Sequence, residues 1–446
     1  MFRRLFVANR GEVAARILRT ARRLGIETVA VSSGPDRDLS YLSMADQVVE
    51  LPGRRPYLDQ TALIQAAEDT RCSALHPGWG FLAENPTFAA RCEAARITFV
   101  GPRPRSMREM ADKAMARSTM SSLGLAPVPG TDVLPTPEAA TRAAAEMGPP
   151  VLLKALAGGG GRGMRRVFAA SEAAGAFAEA SAESAAAFGD GRMYMEKLIT
   201  RGRHIEFQLL GDGQGDVRVL GARECSVQRR HQKLIEETPA PGISAQLYAA
   251  TVDHVVRACS ALNYRGAGTV EMLYDADTDE LWFMEMNTRL QVEHTVTEEV
   301  TGLDLVEWQL RIAANQGLGG LPPVCPSGHS IECRINAEAV EAGFRPTPGT
   351  ITTLRLPDGE GVRVDTHLSE GDRISPHYDS MFAKVIVHAP TRAAAIDRMD
   401  AALAQLVATG VPTTAPLHRR ILRHPEFASG RYDTRFLERE LEGMLA

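Results

Sequence analysis

Over residues 283–294 polar and apolar side chains alternate: Glu285, Asn287, Arg289, Gln291 and Glu293 take every second position, with Met286, Leu290 and Val292 between them. An extended backbone sends such a polar set to one face and the apolar set into a core. Residues 269–275 form a second extended run, and the Asp/Thr/Glu-rich residues 276–280 between the two read as a turn. A hairpin centred near Thr278 puts Glu271 directly opposite Glu285 on the polar face.

The rest of the chain divides by its periodicities. Residues 5–8 are a short apolar run, followed by Asn9-Arg10-Gly11 and a helical pattern of Val13, Ile17, Leu18, Ala21 and Leu24 that Gly25 ends. A strand over 28–31, a helix near 60–69, a strand over 73–76, a helix opened by Pro86 and a strand over 97–100 continue the alternation. That order predicts an open α/β domain with its loops at the strand ends. A helix from Ser106 is expected to carry Met107, Met110, Ala111 and Ala114 inward, with Lys113 on its other side. Pro127 to Gly130 marks a boundary, and an alanine-rich helix opens at Pro135 and reaches about Met147.

Strands over 151–155 and 164–168 flank a glycine run, followed by a helix over 171–187 and strands over 192–198, 204–210 and 217–220. A helix is expected over 295–309, then a Gly/Pro linker over 317–323. Alternation returns over 329–336, with Glu332, Arg334 and Asn336 on one face. Strands near 349–356, 361–366 and 380–388 and a closing helix over 392–407 predict a smaller α+β domain.

At 446 residues, 44% apolar and 24% charged, the composition fits a soluble globular protein of several domains. A net charge of -5 argues against general nucleic-acid binding. Six scattered cysteines without metal-ligand spacing suit a reducing compartment. The first apolar run is too short for a secretory signal and no segment approaches 18 apolar residues, so the expectation is a cytoplasmic protein with no membrane partner.

The chemistry lies in the polar positions. Facing carboxylates repel each other and resist losing water, so Glu271 and Glu285 are either solvated or share a cation. A divalent ion with oxygen ligands suits them, and Asn287 adds an amide oxygen; magnesium in such sites is completed by substrate phosphates. The glycine run from 158 to 161 lacks the Gly-Lys-Ser/Thr ending of the common NTPase loop and joins strand to strand. Its successive N–H groups can cradle phosphate beside Arg162 and Lys154, as a flap that closes on a nucleotide; a disordered surface loop is the other reading. Glu196, Lys197 and Leu198, where the flap rejoins the body, offer an adenine edge. Residues 229–233 gather Arg229, Arg230, His231 and Lys233, either as a solvated charge run or as a hold for anions. Together these pieces describe phosphoryl transfer by positioning and charge neutralisation, with Lys113, Lys154 and Lys233 on phosphates. The acceptor is a small anion held by Arg289, with Glu293 able to take its proton.

Residues 285–294 (EMNTRLQVEH), 157–165 with the glycine run, 228–233 (QRRHQK), 76–82 (HPGWGFL) and 378–381 (YDSM) together resemble biotin carboxylase, an ATP-grasp family, over essentially the whole chain. The resemblance implies an N-terminal open parallel α/β domain over 1–112, an ATP-grasp domain over 113–330 with a mobile glycine-rich lid at about 131–203, and a C-terminal α+β domain over 331–446. It implies an ATP-dependent ligase that makes carboxyphosphate from bicarbonate and ATP, with two Mg2+ or Mn2+, and passes the carboxyl group to biotin on a carrier protein. Glu271, Glu285 and Asn287 would hold metal. Nucleotide would lie against Lys113, Lys154, Gly159, Gly160, Gly161, Arg162, Gly163, Met164, Glu196, Lys197, Leu198, His204, Gln228, His231, Lys233 and Glu271. Arg289, Gln291 and Val292 would hold bicarbonate, Glu293 would be its base, and Arg334 would steady the biotin enolate.

A homodimer is implied in the same way. The absence of a Met-Lys carrier segment leads one to expect a separate biotin carboxyl carrier protein and carboxyltransferase. An acetyl-CoA carboxylase subunit of fatty acid synthesis is the simplest assignment; a propionyl-CoA, methylcrotonyl-CoA or pyruvate carboxylase subunit would use the same site. Another ATP-grasp carboxylate–amine ligase, or a nucleotide-binding regulatory subunit, are the other readings. Trp79 stands where the family more often has tyrosine, Thr295 replaces a proline, and the glycine run starts at Ala157.

Overall fold

The structure, a computed structural model, describes residues 1–53, 55–157 and 163–445. Five parallel strands open the chain: β1 (Arg4–Val7), β2 (Glu27–Ser32), β3 (Gln47–Glu50), β4 (Ala74–His76) and β5 (Thr98–Phe99), ordered β3-β2-β1-β4-β5. Between them run α1 (Gly11–Arg23), α2 (Gln60–Asp69) and α3 (Pro86–Ala94). In α1 the apolar positions lie on one buried face, Glu12 stands in the first turn and Arg22 and Arg23 in the last, the charge order that the helix dipole favours. The sheet is the open α/β unit its periodicity predicts; β3 was not foreseen, being a mostly exposed strand without a core-facing stripe.

The helix expected from Ser106 is two helices, α4 (Pro104–Ala111) and α5 (Lys113–Ser122). Asp112 separates them and caps the second, accepting from Met115 N at 2.9 Å. Met107 and Met110 are buried as expected, whereas Ala111, the last residue of the first helix, and Ala114, past the break, are exposed.

A separate three-stranded antiparallel sheet follows, ordered β7-β6-β8 from β6 (Val151–Ala155), β7 (Met164–Val167) and β8 (Met193–Lys197). It packs with α6 (Pro137–Met147) and α7 (Ala173–Phe188) around its own small core of Val151, Leu153, Phe177 and Met195. The glycine run connects β6 to β7, strand to strand; Gly159, Gly160, Gly161 and Arg162 lie outside the described residues. Gly163 lies at φ +72°, and a Cβ there would meet Ala155 Cβ at 2.8 Å, so glycine is required where the loop rejoins the sheet.

The centre of the molecule is an eight-stranded antiparallel sheet. Its order is β13 (Glu280–Asn287), β12 (Arg265–Asp275), β9 (Gly202–Asp212), β10 (Val217–Arg229), β11 (Gln232–Thr238), β14 (His329–Asn336), then the strands Met381–Ala389 and Val362–Thr366. It runs unbroken through residue 330, so the nucleotide and C-terminal regions share one set of backbone hydrogen bonds. One core joins Val13 and Ile17 of α1 to Leu210, Ile235, Leu310 and Val385.

Several elements differ from expectation. β10 continues nine residues past Leu220, to Arg229, and α8 (Ala245–Ala261) was not foreseen. The helix expected over 295–309 is α9 (His294–Thr301) and α10 (Leu305–Ala313), divided at Gly302 with φ +71° and restarted by the Asp304 cap. The helix from Arg392 ends at Gln405, and Val407 belongs to a short strand; helices Ala415–Leu422, Pro425–Ala428 and Phe436–Leu445 follow.

Candidate active site

The β12–β13 hairpin has the register read from its sequence, with Glu271 paired across from Glu285. Asn287 Nδ2 donates to Glu271 Oε1 at 2.8 Å, and Asn287 Oδ1 accepts from Arg289 Nη2 at 3.1 Å. Glu271 is buried and Glu285 exposed at the mouth of the cleft. Burial opposes ionisation of Glu271, but Lys233 and His204 outweigh it and hold its carboxyl below the usual range. Enclosure in the cleft and the charge of Glu271 push the Glu285 carboxyl up, with Lys113 opposing. Two carboxylates and an amide offer oxygen ligands, and the raised Glu285 carboxyl has room for further positive charge, which suits a hard divalent cation such as magnesium or manganese.

The alternation does not continue past Asn287. β13 stops there, residues 288–293 bend, and α9 starts at His294. Arg289, Gln291 and Glu293 nonetheless converge on the hairpin's polar face. Gln291 Nε2 donates to Glu271 Oε1 at 3.2 Å, and Arg289 is held by Glu84 Oε2 at 2.9 Å and Gln291 Oε1 at 3.3 Å. Glu293 is fully buried, accepting from Lys233 Nζ at 2.5 Å through Oε1 and from Arg334 Nη2 at 2.9 Å through Oε2. Burial would raise its carboxyl; Lys233, Arg334 and Arg223 outweigh burial and hold it well below the usual carboxylate range.

Lys233 is the hub. Its ammonium also meets Glu206 Oε2 at 2.6 Å and Glu271 Oε1 at 3.0 Å, and these three acids keep it charged in spite of its burial. It fills the space that Glu206 shares with Glu271 and His204, and with Cys225 and Glu293, two further groupings whose donor atoms lie within 4.8 Å of one another. The 229–233 cluster does not act as a unit. Arg229 turns to Gly343 O at 2.7 Å, and Arg230 and His231 are exposed at the β10–β11 turn with φ of +47° and +66°, leaving Lys233 as the member among the acids.

A cleft of about 700 Å3 joins these groups to Lys113, Lys154, Met164, His204, Gln228 and His231, and also to Arg334, Trp79, Tyr378 and Met381. Lys154 Nζ donates to Glu196 Oε2 at 2.9 Å, and Arg117 on α5 bonds the same carboxylate, tying the small sheet to the body. Glu196 thus backs the cleft through Lys154, while Lys197 and Leu198 use their N–H groups on Pro129 O and Pro150 O. His204 Nε2 lies 3.2 Å from Glu271 Oε2, and Gln228 Nε2 lies 3.0 Å from His204 Nδ1.

Three family descriptions tile the chain: biotin carboxylase N-terminal domain over residues 1–107, carbamoyl-phosphate synthase L chain ATP-binding domain over 112–321, and biotin carboxylase C-terminal domain over 332–439. A biotin carboxylase of Nostoc sp. is 46% identical over 442 residues, covering 98% of this chain and 99% of the relative. The biotin carboxylase of Pseudomonas aeruginosa is 46% identical over 448 residues, covering 99% of each.

The chain belongs to the biotin carboxylase family. Among solved structures, the Campylobacter jejuni biotin carboxylase complex with β-γ-ATP superposes with a TM-score of 0.94 at 42% identity, over 98% of this chain and 99% of that one. The biotin carboxylase domain dimer of Hydrogenobacter thermophilus 2-oxoglutarate carboxylase, with MgADP, ADP and bicarbonate, gives 0.94 at 43%, over 100% and 99%. The ATP-grasp fold and the α/β and α+β architecture expected from the motifs are those of this family.

Sequence reasoning missed much of what supports this cleft in the biotin carboxylase family member. Arg223, fully buried, donates to Glu206 Oε1 at 2.6 Å and Gln208 Oε1 at 2.7 Å. Glu236 accepts from Arg334 Nε at 2.6 Å, and Glu84 orients Arg289. A signal existed: Glu206 lies two residues after His204 on one strand, hence on the same face.

Proposed function

We infer that the chain carboxylates biotin with bicarbonate and ATP, releasing ADP and phosphate. The observation that carries this is a buried, ionised Glu293 held between Lys233 and Arg334 and set beside the facing pair Glu271 and Glu285. That is a base, an anion seat and an oxygen-donor set in one cleft.

In this reading Glu271, Glu285 and Asn287 hold the divalent ion, which when bound neutralises triphosphate charge. Lys113, Lys154 and Lys233 face the phosphates, and adenosine lies toward Glu196, Lys197, Leu198, His204, Gln228 and His231. Arg289, Gln291 and Val292 seat bicarbonate. As a bicarbonate oxygen attacks the γ-phosphorus and the bond to ADP breaks, Glu293 takes the bicarbonate proton. Lys233 moving from Glu293 toward the incoming anions would raise the basicity of that carboxylate as the proton must leave. Carboxyphosphate then falls to CO2 and phosphate, and phosphate takes the N1 proton of biotin. Arg334 aims its guanidinium at the ureido oxygen, where negative charge develops before N1 attacks CO2.

Biotin is presented by a separate carrier protein, and a homodimer using a separate carboxyltransferase is the assembly we propose, with acetyl-CoA as the final acceptor and the cytoplasm as the location. Among the described residues no helix is long and apolar enough to cross a membrane. We take 1–112, 113–330 and 331–446 as the functional divisions, with 131–203 as the closing lid. Bicarbonate-dependent ATP hydrolysis stimulated by free biotin tests the reading. ADP release that requires an amino acid or amine would replace it with carboxylate–amine ligation.

A further inference from the structure

Behind the anion pocket lies a lysine with no exposed side-chain surface. Lys384, on the strand Met381–Ala389, stands in register with Arg334 on one side and Asp365 on the other. Its Nζ donates to Val292 O at 2.7 Å and lies 3.4 Å from Glu12 Oε1 and 4.0 Å from Glu332 Oε2. The Trp79 ring centre is 5.2 Å away, and Thr295 donates to Glu332 from the far side.

A buried ammonium needs acids to compensate its charge and acceptors for its N–H groups. Lys384 meets both demands at the peptide joining the bicarbonate segment to its base. The acids come from α1 and β14, so three remote parts of the chain converge on Val292. Trp79 and Thr295 both touch this group: the indole face receives the cation, and the Thr295 hydroxyl bonds Glu332.

We propose that Lys384 is a positioning residue for bicarbonate: by holding the Val292 carbonyl toward the C-terminal sheet it fixes the Val292–Glu293 peptide, and with it the direction of the Glu293 carboxylate. This rests on the proposed function of residues 289–293. Lys384 touches no substrate and acts through Val292.

The test is Lys384→Met in the full chain, with separate KM values for bicarbonate and MgATP. The expected result is a bicarbonate KM raised tenfold or more with the MgATP KM within twofold. A merely structural role would reduce the active fraction and leave both KM values unchanged; that result, or a parallel rise in both, overturns the proposal. Since an unpaired Glu12 could prevent folding, the double variant Lys384→Met/Glu12→Gln removes cation and acid together and is expected to show the same selective rise. Crystal structures of the variants give a readout independent of activity: the Val292 carbonyl should turn from the C-terminal sheet, and an unmoved peptide overturns the proposal. A parent chain without bicarbonate dependence would instead refute the proposed function, with the crystal structures still deciding the role of Lys384.

Discussion

Glu293→Gln tests the proposed proton-taking role because glutamine keeps the shape of the side chain while removing its charge and basicity. The structure limits the collateral damage. Lys233 keeps Glu206 at 2.6 Å and Glu271 at 3.0 Å, and Arg334 keeps Glu236 at 2.6 Å, so neither cation is left without an acid. Breaking a buried ion pair commonly costs about 3–5 kcal/mol, and these remaining partners place the expected loss of stability at about 3 kcal/mol at neutral pH. A positioned general base contributes about 10²–10⁴ in rate. The expected outcome is therefore a fall in bicarbonate-dependent ADP release of that size, measured by a coupled assay at saturating MgATP, with the MgATP dissociation constant within about threefold of the parent. The sign of the pH effect follows from the depressed carboxyl. Its stabilisation is present above the unfolded value of about 4.3 and is lost as pH falls toward the folded value, so the stability gap between parent and variant should close in acid. Undiminished turnover, or a loss of nucleotide affinity matching the loss of rate, would remove Glu293 as the base.

Arg334→Ala should lower the rate of carboxyl transfer to biotin by about 10²–10³ with little change in MgATP affinity; an equal loss of nucleotide binding would show that the guanidinium serves ATP. Glu285→Gln should weaken Mn2+ binding, followed by electron paramagnetic resonance, by at least about tenfold, and an unchanged affinity would take Glu285 out of the ligand set. At Glu237 burial favours the neutral acid, but bonds from His329 and Arg392 prevail and pull the carboxyl down to about 2. Roughly two pKa units at 1.36 kcal/mol each predict that Glu237→Gln costs about 3 kcal/mol at pH 7, the gap shrinking as pH falls from about 4 through 2. Urea unfolding across that range would count against the network if the gap stayed constant.

The hairpin register, α1 and the strand-to-strand glycine run were legible because alternation, helical spacing and turn residues are local signals. Arg289, Gln291 and Glu293 were legible as chemistry but not as geometry. The chain leaves the strand at Asn287, and convergence comes from the bend before α9 and from Glu84 across the domain boundary. The buried charges were hardest to read. Arg223, Glu206 and Glu236 interrupt apolar alternation in the middle of the sheet, so a pattern that equates burial with apolarity ends β10 at Leu220. Lys384 carried a weak signal, a single lysine within a mostly apolar strand, but its partners on α1 and β14 lie far away in sequence.

The most direct test of the central claim supplies the purified chain with MgATP, isotopically labelled bicarbonate and free biotin, and follows ADP and labelled carboxybiotin together. Both should form, each should require bicarbonate and a divalent ion, and Glu293→Gln should slow both by about 10²–10⁴. ADP release indifferent to bicarbonate and biotin, with no label on biotin, would contradict that claim.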